Sequence, residues 1–196
     1  MSEKFDGIRA YWNCKILISR HGNKISNPSW FIEEFPKDIT LDGELWMGRG
    51  TFELLRGIIN GGFKKDISTL WKQIYFMIFD LPNSKGEYEK RIFELKKLKF
   101  PNHVNIVDIQ KCKGKDHLQE YLQQILEYGG EGIMLNQPNS FYISTRTNSL
   151  LKIKVKKNIL HLYFYSYQNI FHYFLGLIFS KSMDVLMIHF YNSHNV

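Results

Sequence analysis

Five short strings hold the residues best suited to chemistry. The first, Lys4-Phe5-Asp6-Gly7-Ile8-Arg9, places a lysine, a carboxylate, a turn glycine and an arginine within six positions. Taken alone it reads equally well as a charged surface turn, where Lys, Asp and Gly are favoured. Its company changes that. Leu41-Asp42-Gly43-Glu44-Leu45-Trp46 sets acids and a glycine inside an apolar stretch, and Phe79-Asp80 closes an apolar run. Glu131-Gly132 opens another, and Lys152 and Lys154 alternate on one face of Leu-Leu-Lys-Ile-Lys. The net charge of +7 invites an anionic partner: a nucleic acid, an anionic membrane or a phosphorylated small molecule. The seven histidines show no ligand spacing and read as scattered surface or core residues.

These polar groups need a scaffold of strands, and the pattern supplies one. β-Branched and aromatic residues predict strands over 8–13 and 15–20, before a turn at His21-Gly22-Asn23. Asn27 followed by Pro28 reads as an N-cap with proline at the first helical position, opening a short helix to Phe35. A strand follows over 39–47 and a helix over 51–60, with Phe52, Leu55 and Ile59 on one face. The apolar run 74–80 reads as a buried central strand, 87–98 as a helix and 104–110 as a strand. Residues 116–128 form a helix with Leu118, Leu122 and Ile125 at helical spacing, stopped by Gly129-Gly130. Strands over 132–136 and 150–155 complete an α+β domain of largely antiparallel sheets flanked by helices. Trp12, Trp30, Trp46 and Trp71 are expected mainly in the core.

Composition divides the 196 residues in two. Residues 158–196 hold one basic and one acidic residue, Lys181 and Asp184, so the surplus that makes the chain +7 belongs to 1–157. Residues 159–180 contain no Asp, Glu, Lys or Arg and are crowded with Tyr, Phe and His. That is long enough for a membrane span, but Gln168, Asn169 and the serines and histidines count against one, and neither helical nor strand period is clean. The tail is therefore expected to be an unrelated extension with no membrane role. With 44% hydrophobic residues, disordered and collagen-like classes are excluded. Two cysteines, Cys14 and Cys112, read as free thiols, and no apolar stretch follows Met1 as a secretory signal would require, which together predict an intracellular protein.

Taken in order, the five strings resemble motifs I, III, IIIa, IV and V of the covalent nucleotidyltransferases, the superfamily of ATP-dependent DNA ligases, RNA ligases and mRNA-capping enzymes. The fuller text, with Ser19-Arg20-His21-Gly22-Asn23, Met47-Gly48-Arg49-Gly50-Thr51-Phe52-Glu53 and Gly130-Glu131-Gly132-Ile133-Met134-Leu135, is similar to small ATP-dependent DNA ligases of the bacterial and kinetoplastid-mitochondrial type. The resemblance covers about residues 2–157. It implies an ATP-grasp-like adenylation domain, the cofactors ATP and Mg2+ or Mn2+, nicked duplex DNA as partner, a monomer, and work in DNA repair, replication or recombination.

The resemblance also implies roles. Lys4 matches the nucleophile that takes AMP from ATP through a phosphoramide bond. A lysine with an ordinary pKa near ~10.4 is almost wholly protonated at neutral pH, so its surroundings must favour the neutral amine. Arg9 matches the arginine at the nucleotide ribose or phosphate, and Arg20 one that grips the 5′-phosphate of the nick. Glu44 matches an acid on the ribose or the metal, and Glu131 the acid that serves the divalent ion. Asp42 and Asp80 are weaker candidates. Phe79 matches the aromatic that stacks on adenine, Lys152 and Lys154 the pair on the α-phosphate, and Arg146 an arginine just upstream of them.

Two departures qualify the match. The family carries a strand and a helix ahead of the nucleophile, and after motif V an oligonucleotide-binding β-barrel ending in motif VI. Neither is recognisable here, so the chain is expected to be an adenylation domain that is N-terminally truncated, lacks the barrel and is weakly active. Two alternatives stand beside the DNA ligase: an RNA ligase or capping-type nucleotidyltransferase, and an inactive remnant that binds nucleotide or nucleic acid.

Overall fold

The computed structural model describes residues 1–62 and 67–154. The expected division at residue 157 and the tail 158–196 lie outside them. Among the described residues, eight strands form two sheets. The smaller takes β1 (Ser2–Glu3), β7 (Gly132–Asn136) and β8 (Leu150–Lys154) in the order β1-β7-β8, antiparallel throughout. The larger takes β2 (Ile8–Trp12), β3 (Leu17–Ser19), β4 (Leu41–Trp46), β5 (Tyr75–Asp80) and β6 (Val104–Ile106) in the order β3-β2-β4-β5-β6. Its pairs are antiparallel except β5 with β6. Those two are parallel because helix α4 (Tyr88–Leu95) carries the chain back between them.

Register in the larger sheet separates a core face from an open face. Ile8↔Leu45↔Phe76, Ala10↔Gly43↔Ile78 and Trp12↔Leu41 lie in rows across β2, β4 and β5. Ala10, Trp12, Leu41, Leu45, Phe76 and Ile78 are fully buried. Helices α1 (Ser29–Ile32), α2 (Phe52–Ile59) and α3 (Ile67–Trp71) contribute Phe31, Leu55, Ile58 and Trp71 to the same core. Burial of each large side chain stabilises the fold by ~1.5–3 kcal/mol. A separate cluster joins Leu122 and Ile125 of helix α5 (Lys115–Glu127) to Ile133 of β7.

Several expectations are corrected. Pro28 itself occupies the N-cap of α1, with extended backbone and no side-chain cap, while the Asn27 amide donates to the Pro28 carbonyl. The helix covers four residues rather than reaching Phe35. In α2 the fully buried pair is Leu55 and Ile58, with Ile59 only packed against the core. β5 alternates rather than lying wholly buried, since Tyr75, Met77 and Phe79 stay partly or fully exposed on the open face. β6 stops at Ile106 because the chain then turns towards β1, where Gln110 N–H donates to Met1 O at 2.9 Å. Trp12 and Trp71 are buried as expected. Trp30 packs at the core margin, whereas Trp46 lies on the open face with its ring edge-on to Phe5 at 5.0 Å.

Candidate active site

The polar residues of the larger sheet fall on its open face for a simple reason. Side chains alternate along a strand, so Arg9 and Tyr11 of β2 share a face with Asp42 and Glu44 of β4 and with Met77 of β5. Arg9 lies directly opposite Glu44, and Tyr11 opposite Asp42. Asp42, 1% exposed, takes the Arg9 guanidinium in a fork: Nε to Oδ1 at 3.0 Å and Nη2 to Oδ2 at 2.5 Å. Phe79 places its ring under the same guanidinium, 5.6 Å from Cζ to the ring centroid. Its sequence neighbour Ile78 fills the core, so Phe79 is left for something outside it.

The smaller sheet brings up the lysines. Lys4 follows β1 directly, and its N–H continues the ladder by donating to Gly132 O at 2.8 Å. Its ammonium pairs with Glu131 Oε2, while Lys154 Nζ donates to Oε1 of the same carboxylate at 3.2 Å. Gly132 is required here. Its φ is +153°, and a Cβ would stand 2.1 Å from Ile153 O across the β7–β8 pair. From Lys4 the chain needs only Phe5, Asp6 and Gly7 to enter β2 of the other sheet. Gly7 passes so close to β4 that a Cβ would stand 2.3 Å from Leu45 O.

The two groups of residues sense each other electrostatically. Burial pushes the Glu44 carboxyl up to about 7, opposed by the charges of Lys4, Arg9 and Lys152 and reinforced by Asp42. Burial and then the charges of Lys4, Arg20 and Arg9 depress the Lys152 ammonium, with Glu44 opposing. Burial would raise the Glu131 carboxyl too, but the hydrogen bonds and charges of Lys4 and Lys154 more than offset it and hold it below its ordinary value. A site in which the Lys152 ammonium is crowded by Lys4, Arg20 and Arg9 is suited to an anion.

Of the expected site residues, Lys4, Arg9, Glu44, Phe79, Glu131, Lys152 and Lys154 are thus drawn from two sheets towards one place. Arg20 stands exposed in the turn after β3 with its charge reaching Lys152, and Arg146 lies exposed in the 137–149 connection that leads into β8. Asp42 and Asp80 have structural partners: Asp42 orients Arg9, and Asp80 forms a fork with the buried Arg91 of α4 at 2.6 and 2.9 Å. Among the described residues no three His, Cys, Asp or Glu side chains converge on one point. Glu131 and Glu44 each bring one carboxyl group to this place.

Comparison with known proteins agrees with this geometry. The profile of the ATP dependent DNA ligase domain matches residues 1–154. The chain belongs to this family. It is 36% identical over 160 residues to a DNA ligase of Haemophilus influenzae, covering 80% of this chain and 58% of that protein. A solved structure from a study of Lig E DNA ligases superimposes with a TM-score of 0.72 at 38% identity, over 79% of this chain and 60% of the other. The Chlorella virus DNA ligase-adenylate shares the fold, with a TM-score of 0.63 at 23% identity over 78% of this chain and 61% of that one. This ligase-family chain thus spans about three fifths of the length of these relatives.

The Glu44 environment predicts a specific pH dependence. The native carboxyl keeps its proton to about pH 7, whereas the unfolded chain releases it near 4.5. The native state then binds more protons across that window, so stability falls as pH rises through it. Glu44→Gln should melt with the parent below pH 4.5 and exceed it above pH 7, by up to ~3 kcal/mol. Melting temperatures across pH 4–8 test this, and a parent–variant difference that stays constant with pH would refute it.

Proposed function

We propose that this chain is the adenylation domain of an ATP-dependent DNA ligase. In this reading it carries AMP on Lys4 and delivers it to the 5′-phosphate of a nick in duplex DNA for phosphodiester formation. The observation that carries the reading is the meeting of Lys4, Glu131 and Lys154 from the smaller sheet with Glu44, Arg9 and Phe79 on the open face of the larger. That arrangement supplies a nucleophile, cations for a phosphate, an acid for ribose hydroxyls and an aromatic surface for a base.

The first step needs Lys4 as a neutral amine freed from Glu131. Its nitrogen attacks the α-phosphorus of ATP, forming the N–P bond as the P–O bond to pyrophosphate breaks, and the ammonium proton is given up before attack. Glu131 is the nearest acceptor for that proton. Lys152 and Lys154 face the negative charge that grows on the α-phosphate oxygens, which is the charge Lys152 lacks around it at rest. Arg9 and Phe79 hold the nucleoside end, and Glu44 accepts hydrogen bonds from the ribose. In this reading Arg20, exposed in the turn after β3, grips the nick phosphate. The donor set suits Mg2+ or Mn2+, which Glu131 and Glu44 would help hold; such an ion, when bound, shields phosphate charge. The family match and the named relatives favour DNA over the RNA-ligase and capping alternatives.

The test is covalent labelling. The full chain, incubated with magnesium and ATP labelled at the α-phosphate, should carry acid-labile label after denaturation, and none when the label sits at the γ-phosphate. ATP binding without covalent label would instead support the nucleotide-binding remnant.

Phe79 offers a second check. If adenine stacks on its open face, Phe79→Ala should raise the ATP concentration for half-maximal labelling by the equivalent of ~1–3 kcal/mol, with Phe79→Tyr or Trp near the parent. Unchanged ATP dependence with a melting temperature lowered as for a buried phenylalanine would assign the ring to packing.

A further inference from the structure

Arg9 faces the nucleotide in the proposed function, so whatever fixes its guanidinium fixes part of the pocket. Asp42 does so directly, but a carboxylate accepting from one arginine can still swing about its own side-chain bonds. The second acceptor position on Oδ2 is taken by the Tyr142 hydroxyl, which donates to it at 2.9 Å. Tyr142 belongs to neither strand of the pair it connects. It stands in the 137–149 segment between β7 and β8, a hundred residues from Asp42 in sequence.

That segment is itself anchored to the larger sheet through α4. Ser140 O accepts from Tyr88 N–H at 2.8 Å and from Arg91 Nη1 at 3.0 Å, and Pro138 O accepts from Glu89 N–H at 3.1 Å. The Tyr142 ring lies 5.8 Å from the Arg91 guanidinium on one side of this anchor. The phenol is partly buried. Burial and then the charge and hydrogen bond of Asp42 push its ionisation upward, so it remains a donor at all ordinary pH. The hydroxyl therefore reaches Asp42 from a fixed support, without a mobile side chain having to find it.

We propose that Tyr142 is a positioning residue of the nucleotide pocket. Through Asp42 it sets the orientation of Arg9, and so makes ATP affinity depend on the connection between the motif IV and motif V strands. This rests on the reading of the pocket as an ATP site. The position of the hydroxyl, on the same Asp42 oxygen that accepts from Arg9 Nη2, is what carries it.

Tyr142→Phe isolates the hydroxyl, because the ring stays over Arg91. In the labelling reaction the apparent KM for ATP should rise roughly 3- to 10-fold, the lower part of the range for neighbours in one hydrogen-bond network. The maximal labelling rate and the melting temperature should remain near the parent. In an Arg9→Ala background the same substitution should change the KM no further, since it acts through Arg9. An unchanged KM in Tyr142→Phe, or an equal effect with and without Arg9, would overturn the inference.

Direct ATP binding, measured by calorimetry on Lys4→Ala and on Lys4→Ala/Tyr142→Phe, separates this inference from the proposed function. Weaker binding in the double variant supports the inference even if the parent chain never labels. Equal binding refutes it even if labelling is strong. If neither protein binds ATP, both readings fall.

Discussion

Lys4→Arg should abolish covalent AMP transfer. Arginine keeps the positive charge and enough length to face Glu131, so the ion pair at the end of β1 can be rebuilt. Its guanidinium, however, is not deprotonated in any useful range and cannot serve as nucleophile. Lys4→Ala should be equally inert while freeing Glu131 of one of its two lysine partners. The loss in both should be total within detection rather than partial, because in the proposed function Lys4 alone attacks the α-phosphorus, with Lys152 and Lys154 serving the phosphate as cations. Gel analysis of protein labelled from α-labelled ATP reads it directly. Label retained on Lys4→Arg at the parent level would mean that another residue reacts, and the functional reading built on Lys4 would fail.

The largest stability effect should come from Arg91. It is 2% exposed, forks Asp80 and donates to Gly86 O and Ser140 O, tying β5, the approach to α4 and the 137–149 segment into one network. Arg91→Met keeps much of the apolar stem but leaves Asp80 charged, largely buried and without its counter-ion. Breaking such a pair from one side costs about 3–5 kcal/mol. Replacing both, as Arg91→Met with Asp80→Leu, should recover a good part of that loss, because the penalty lies in the orphaned charge more than in the missing attraction. Urea unfolding of the three variants measures it. A loss under about 1 kcal/mol in Arg91→Met would show that Asp80 finds water or another partner.

How far the sequence speaks can be judged from particular residues. The 132–136 strand and the long helix before it were legible to within a residue because alternation, helical spacing and the glycine stop all agree. The strand at Ser2–Glu3 was not, since two residues are too few to show a period. It exists because β7 offers an edge to pair with. Helix α3 was missed too, as five residues carry no amphipathic repeat.

In the site, the strings that resemble the family's motifs pointed to Lys4, Glu44 and Glu131, and gave Asp42 and Asp80 only as weaker candidate acids. That Asp42 should serve Arg9, and that Asp80 should serve Arg91 instead of a ligand, needed the side-chain geometry. Tyr142 lay beyond reach for another reason. It stands in irregular chain, where no periodicity exists to betray a contact made across a hundred positions.

The crossing from Lys4 to Arg9 has a mechanical consequence. The proposed nucleophile Lys4 follows a strand of one sheet and the proposed nucleotide anchor Arg9 lies in a strand of the other, yet five peptide units join them, a contour of at most ~18 Å. The crossing is pinned at both ends: at Lys4 by its bond to Gly132, and at Gly7 by an approach to Leu45 too close for any side chain. It therefore acts as a short tether. Should the sheets rock against each other as substrate enters or product leaves, the separation of these two groups is bounded by covalent geometry and does not depend on packing to restore it. Added slack between Phe5 and Gly7 would leave both sheets able to form while widening the range over which the reacting nitrogen can wander, an entropic cost levied on the reaction alone.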